Sequence, residues 1–174
     1  MKFETAKAIE ILHRTPLVLH ALLGFLSDEW TESRENPDDW EPFDIVGHLI
    51  EGEQNDWIAR AELILAQGPD RTFEPFDRLA QFENSKNKTL DELLDTFAEL
   101  RQKNLETLGA WNLTEEQLDL KAAHPALGEV TLRQLLSTWV VHDLTHLRQL
   151  AVVLARKYAP NVGPWKEYLS ILKQ

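Results

Sequence analysis

Residues 131–158 read TLRQLLSTWVVHDLTHLRQLAVVLARKY, and this stretch decides the fold. Leu135, Trp139, His142, His146, Leu150 and Val153 follow one another at steps of four, three, four, four and three. Such steps place side chains on one face of an α-helix, so a long amphipathic helix opens at Thr131 and runs to about Tyr158. The two histidines continue the apolar stripe and are expected to face the interior of a bundle. Imidazoles four apart stand one turn above each other, where both can reach one metal ion. Six histidines scattered at random over this length would give about 0.2 such pairs, so the spacing needs its context. Two imidazoles inside a core need partners, because an unpaired buried polar group is costly. Core hydrogen bonds or a metal ion would both serve.

Outward from this helix, apolar residues again recur at three- and four-residue spacing, with 7 Gly and 8 Pro among 174 residues. That pattern predicts helices throughout. Phe3, Ala6, Ile9 and Leu12 lead into Thr15-Pro16, which reads as an N-cap followed by proline at the first helical position. A kink is expected there, or a short helix feeding a second one through Leu17, Leu19, Leu22, Leu23 and Leu26. Residues 28–43 are polar and hold Trp30 and Trp40, and a loop is expected. Asp44 is the expected N-cap of a second helix, roughly Ile45 to Gln67, ended by Gly68-Pro69. Residues 68–88 lose the helical period and make a long connection.

Thr89 is the expected cap of a third helix, with Leu90, Leu93, Leu94, Phe97, Leu100 and Leu108 on one face. A shorter piece, 114–123, follows Thr114, whose Gln117 three residues on makes a capping-box pattern. His124-Pro125 and a turn at Gly128 then precede the Thr131 helix. The tail Val162-Gly163-Pro164-Trp165 leads to a last apolar turn at Tyr168, Leu169, Ile171 and Leu172. Four long helices with one long connection between the second and third predict an all-α, single-domain four-helix bundle with a crossover, spanning 1–174.

Composition narrows the function. With 18 Lys+Arg against 29 Asp+Glu, the formal charge is −11, which argues against non-specific nucleic-acid binding and against an anionic membrane surface. There is no cysteine, so disulfides, a thiolate nucleophile and Cys-ligated metal sites are excluded, and any metal must be held by His, Asp and Glu. No signal segment opens the chain and no apolar run approaches 18 residues, so a cytoplasmic protein with no membrane partner is expected.

A third imidazole joins the pair. His48 lies in Ile45-Val46-Gly47-His48-Leu49-Ile50-Glu51-Gly52, amid apolar neighbours, and Gly52 one turn later is expected to leave room for something to approach. One His from one helix and two from another make a three-ligand site with an open position. Glu51, Glu53, Asp56 and Asp143 could orient an imidazole from behind, Asp143 being the weak catalytic candidate; solvated surface positions are expected for at least two of the four. His13 and His20 read as structural, and His124 as either exposed or at the mouth of the site. Trp57 and Trp139 read as core or pocket wall, Trp30 and Trp111 as helix-end plugs, and Trp165 as a tail anchor.

Three stretches carry a family resemblance: Val46–Glu51 with its Gly-His-Leu-Ile, His124–Leu132 with His-Pro-x-Leu-Gly-x-Val-Thr-Leu, and His142–Gln149 with His-Asp-x-x-His. In this order and spacing the chain resembles the DinB/YfiT-like superfamily, from about Thr15 to Leu172, with Asp39-Trp40-Glu41-Pro42 and Gly163-Pro164-Trp165 supporting one branch. The resemblance implies a bundle of up-down-down-up connectivity, a divalent metal such as zinc or nickel on a histidine triad at His48, His142 and His146, and a homodimer. It also implies either transfer and isomerisation chemistry using low-molecular-weight thiols of the mycothiol or bacillithiol kind, or metal-dependent hydrolysis.

Three functions remain open on the sequence. A metal-dependent transferase would bring its thiol with a small-molecule substrate, as a chain without cysteine requires; Arg60, Arg101 and Arg148 are unranked candidates for the thiol's carboxylates, with Arg148 expected to point off the metal face. A hydrolase is the alternative. His142-Asp143-x-x-His146 is superficially like the zincin helix, but Asp is one methylene shorter than Glu and the third histidine lies 94 residues upstream. A non-enzymatic metal- or ligand-binding bundle is the third.

Overall fold

Four of the helices after the first rod begin at a capping box, where a side chain takes up a free amide of the first turn. The structure is a computed structural model, and residues 1–31, 34, 39–67 and 71–173 are described below. The first rod is α1 (Thr5–Leu12) followed across His13 by α2 (Arg14–Leu23), the short helix feeding a second that the Thr15-Pro16 step suggested. Thr15 is not its cap, however. It lies within the first turn of α2 and its hydroxyl donates to Asp143 Oδ2 at 2.6 Å, while Pro16 stays in that turn, where its missing N–H breaks no helical bond.

A single turn, α3 (Asp28–Thr31), interrupts the expected loop; residues 32–33 and 35–38 of that loop lie outside the described residues. The second rod starts earlier than expected. Glu41 is the N-cap of α4 (Pro42–Asn55), and Asp44 is the residue three further on, accepting from the Glu41 amide at 2.9 Å. The rod then breaks at Asp56 (φ −117°, ψ −75°) before α5 (Trp57–Ala66). Gln67 ends α5 in the left-handed region (φ 49°); Gly68-Pro69, expected to stop the helix, lie outside the described residues.

Among its described residues the crossover carries one short helix, α6 (Ala80–Asn84). Thr89 caps α7 (Leu90–Ala110) through the Glu92 amide, and Glu92 returns a bond to the Thr89 amide at 2.7 Å. Thr114 and Gln117 do the same for α8 (Glu115–Leu118), as expected. A hairpin of β1 (Lys121–His124) and β2 (Gly128–Thr131) follows, antiparallel, with Lys121 opposite Thr131 and His124 opposite Gly128. It departs from the prediction of helices throughout, because four-residue strands are too short to show a period. Thr131 then caps α9 (Leu132–Tyr158) with Gln134. Three 3-10 turns carry the chain to Leu172, and Trp165 is 73% exposed, so it is not an anchor.

Contacts between rods give their directions. Arg101 reaches the Leu12 carbonyl and His20 faces Asp95, so α1–α2 runs against α7. Ile45 and Leu49 share a core cluster with Leu93 and Leu94, while Glu53 meets Arg101 and Asn104, so α4 runs with α7. Lys157 meets Glu41 and Trp139 meets Glu53, so α9 runs against α4. The bundle is therefore up-down-down-up, and the two parallel rods are joined by the crossover between α5 and α7.

The core has two apolar halves. One gathers Leu12, Trp57, Leu105, Leu108 and Trp139; the other gathers Leu19, Leu23, Ile45, Phe97 and Leu150. On every rod the chain passes from one half to the other through a polar residue: Thr15, Glu53, Arg101 and Asp143. A buried polar belt thus divides the bundle, and the histidines sit at that level on α9. No helix among the described residues is long and apolar enough to cross a membrane.

Candidate metal centre

His48 from α4 joins His142 and His146 of α9, the pair that the four-residue spacing put on one face. His142 Nε2 lies 3.2 Å from His48 Nε2 and 3.1 Å from His146 Nε2, and all three ligand-type nitrogens fall within 4.8 Å of one another. Four-coordinate zinc with Zn–N bonds of about 2.0–2.1 Å spaces its ligand nitrogens roughly 3.3 Å apart. Two of the three edges already match that spacing, so the donor set fits a single divalent ion.

Protonation points the same way. Burial is the main cause that lowers all three imidazoles; it brings His48 to about 4 and His142 to about 3, with the neighbouring His146 ring adding to both. The Arg78 guanidinium contributes to the fall at His48 and His142. Neutral imidazole is the form that binds metal. Gln149, one turn beyond His146, accepts from its Nδ1 at 2.8 Å through the amide oxygen, which directs the Nε2 lone pair toward the other two rings. Buried Gln81 of α6 lies beside His48 without completing a hydrogen bond to its Nδ1.

A stability prediction follows from these shifts. A histidine whose pKa is lowered in the folded chain binds its proton more readily when unfolded, so metal-free protein loses stability as pH falls from 6.5 toward 4. The expected loss between pH 6.5 and 5 is on the order of 1–2 kcal/mol for each of His48 and His142. Urea midpoints measured in chelator should fall over that range, and less steeply in His142→Ala. Equal slopes in the two proteins would refute it.

Aromatic rings wall the site. Trp40 stands 5.1 Å from His48, Phe76 of the crossover meets the same ring edge-on at 5.6 Å, and Trp57 lies 5.0 Å from His142. Trp57 in turn stacks on Trp139 at 5.9 Å and 10°. Trp57 is thus core and wall together and Trp139 is core behind it, each within the expected alternatives. Gly52 does not leave room for a ligand: a Cβ there would come within 3.0 Å of Trp57 Nε1, so the space belongs to the indole.

The four carboxylates depart most from expectation. Glu51, Glu53, Asp56 and Asp143 are all buried, and none is a solvated surface group. Glu51 accepts from Asn55 and Asn84, and Asp56 pairs with Arg60 at 2.7 Å. Asp143 turns away from the imidazoles: Thr15 Oγ1 and Arg101 Nη1 each donate to its Oδ2 at 2.6 Å, and Arg101 Nη2 donates to its Oδ1 at 3.1 Å. Arg101 Nη2 also donates to Glu53 Oε1 at 2.8 Å, where Trp139 Nε1 joins it at 3.1 Å, while Asn104 donates to Glu53 Oε2 at 3.0 Å. Burial raises the Glu53 pKa, and Arg101 and Asn104 pull it back.

Of the candidate arginines, Arg101 is 1% exposed and committed to this network, and Arg60 is bound to Asp56 and to the Glu74 carbonyl. Arg148 is exposed on α9. His13 and His20 are exposed and away from the triad. The His124 Nδ1 accepts from the Ala126 and Leu127 amides and so closes the hairpin turn. Trp111 ends α7 against the core and Trp30 meets Tyr158 at 5.1 Å, in keeping with their reading as plugs. Gln149, Trp40, Phe76 and the Arg101 network went unrecognised in the sequence; only Gln149, one turn from His146, carried a local signal.

Comparison with known proteins agrees with this arrangement. No curated protein matches the chain at a significant level. Among solved structures the chain is similar to YfiT from Bacillus subtilis, described as a probable metal-dependent hydrolase with an unusual four-helix bundle topology. The TM-score is 0.75 at 24% identity, covering 90% of this chain and 89% of that one, which establishes the shared fold. The profile of the DinB superfamily matches residues 11–150, a span that holds all three histidines and the whole buried network, and the chain belongs to that superfamily.

Proposed function

We propose that His48, His142 and His146 hold one divalent ion, zinc or nickel, and that the centre activates a low-molecular-weight thiol of the bacillithiol or mycothiol class for transfer to a small electrophile. The observation that carries this reading is the convergence of three Nε2 atoms at 3.1 and 3.2 Å beside carboxylates that are already committed to Arg101, Arg60, Asn55 and Asn84. Bound there, a divalent ion would lower the pKa of a coordinated thiol or water. A thiol activated in this way needs no neighbouring carboxylate base, whereas zincin-type hydrolysis relies on one. The chain itself has no cysteine, so the sulfur would arrive with the small-molecule substrate. Trp40 and Phe76 supply an apolar wall beside His48 against which an electrophile can lie.

Hydrolysis is the second reading, favoured by the fold shared with YfiT and that protein's description. Untagged, metal-loaded protein given thiol and monochlorobimane tests the choice. Metal- and thiol-dependent formation of the bimane adduct is expected. Turnover of esters or amides without any thiol, and no adduct, would replace the first reading with the second.

Pairing of two copies belongs to the same proposal. Leu17 and Val18 of α2 and Val141 and Leu144 of α9 are exposed apolar side chains on two rods that the Thr15–Asp143 bond joins. Sedimentation should give twice the chain mass of 20.1 kDa, and a single-chain mass at micromolar concentration would remove this part.

A further inference from the structure

The polar belt of the bundle is not neutral. Both oxygens of Glu53 and both of Asp143 face donors only: Arg101, Trp139 and Asn104 for the first, Thr15 and Arg101 for the second. A protonated carboxyl would need an acceptor for its own hydrogen; the Thr15 hydroxyl can be turned either way, whereas the Asn104 amide is held NH2-first by the Glu53 carbonyl, to which it also donates at 2.8 Å. Two carboxylates therefore share one guanidinium, at 0–2% side-chain exposure. Among the described residues, one negative charge of this belt is left without its own cation, and an unbalanced buried charge is costly.

The belt adjoins the triad directly. Asp143 follows His142 in sequence, and Trp139, bonded to Glu53, stacks on the Trp57 ring that packs against His142. Three neutral imidazoles around a divalent ion would carry two positive charges in the same low-dielectric interior. We propose that Glu53 and Asp143, held by Arg101, form a built-in counter-charge for the metal centre, so that their excess negative charge raises its affinity for a divalent cation. They are positioning residues that act on the ion through the protein interior and not as its ligands. This inference rests on the reading of the triad as a metal site.

Isosteric neutralisation separates charge from structure. Glu53→Gln and Asp143→Asn each remove one charge while keeping a side chain of the same shape, and Thr15→Val removes a hydrogen bond to Asp143 without changing charge. Co²⁺ affinity by chelator competition, the Co²⁺ ligand-field spectrum and metal-free thermal stability are measured on all three. Both neutralised variants are expected to bind Co²⁺ about tenfold more weakly with the tetrahedral spectrum retained, the lower end of what outer-sphere changes do to metal affinity. Thr15→Val is expected to melt earlier and to bind within about twofold of the parent. An unchanged Co²⁺ affinity in whichever neutralised variant folds would overturn the inference. So would Thr15→Val weakening Co²⁺ as much as they do. If the parent binds no Co²⁺, the metal reading itself fails, which is a different result from a parent that binds and variants that bind equally.

Discussion

Arg101→Leu is expected to destabilise the metal-free protein by about 3–5 kcal/mol, the usual cost of removing one partner from a buried ion pair. The reason lies in what the guanidinium holds. It donates to Asp143, to Glu53 and to the Leu12 carbonyl, so it ties α1, α4 and α9 to α7 from a single side chain. Its face also lies 4.8 Å from the Phe97 ring centroid and 5.2 Å from that of Trp139. Leucine leaves two buried carboxylates with no cation between them. Against the 5–15 kcal/mol that domains usually have, this is a large share of the total. Arg101→Lys keeps the charge and gives up the fork that serves both carboxylates, so its loss should fall between. Urea unfolding in chelator measures all three proteins, and Arg101→Leu within about 1 kcal/mol of the parent would show that the network does not hold the rods.

His142→Ala is expected to weaken divalent-metal affinity on the order of a hundredfold or more, taking about 3 kcal/mol per ligand from the roughly 10–16 kcal/mol of a full structural zinc site. Among the three histidines His142 is the central one, since its Nε2 makes both of the close approaches. Alanine there leaves His48 and His146, one protein ligand short of the three that a site with an open fourth position uses. On the proposed thiol chemistry, turnover should fall with the metal. Isothermal titration with Zn²⁺ distinguishes this from a packing defect, because a packing defect would shift the melting temperature and leave affinity within a few fold.

Local signals in the sequence were sufficient for the long helices and for singling out the three histidines, but not for the start of α4 or the break at Asp56. Thr89, Thr114 and Thr131 cap helices where their side chains suggested, and the α9 stripe carried Trp139, His142, His146 and Leu150 inward over about three turns. His48 was recognisable because an imidazole amid Ile45, Val46, Leu49 and Ile50 has to face something polar. Features set by distant partners were not legible. Glu53 and Asp143 look like ordinary helix charges until Arg101, 48 and 42 residues away, is placed between them. Gly52 looked like an opening because the indole that fills it begins the next helix, past a break at Asp56 that no proline or glycine marks. The Thr15 hydroxyl fitted a cap equally well, and only the fold puts Asp143 in front of it.

Metal analysis of untagged protein, beside its His48→Ala, His142→Ala and His146→Ala variants, bears most directly on the proposed metal centre. One divalent ion per chain is expected in the parent, falling to about a tenth or less in each variant at equal protein concentration. Substoichiometric metal that none of the three replacements changes would contradict it.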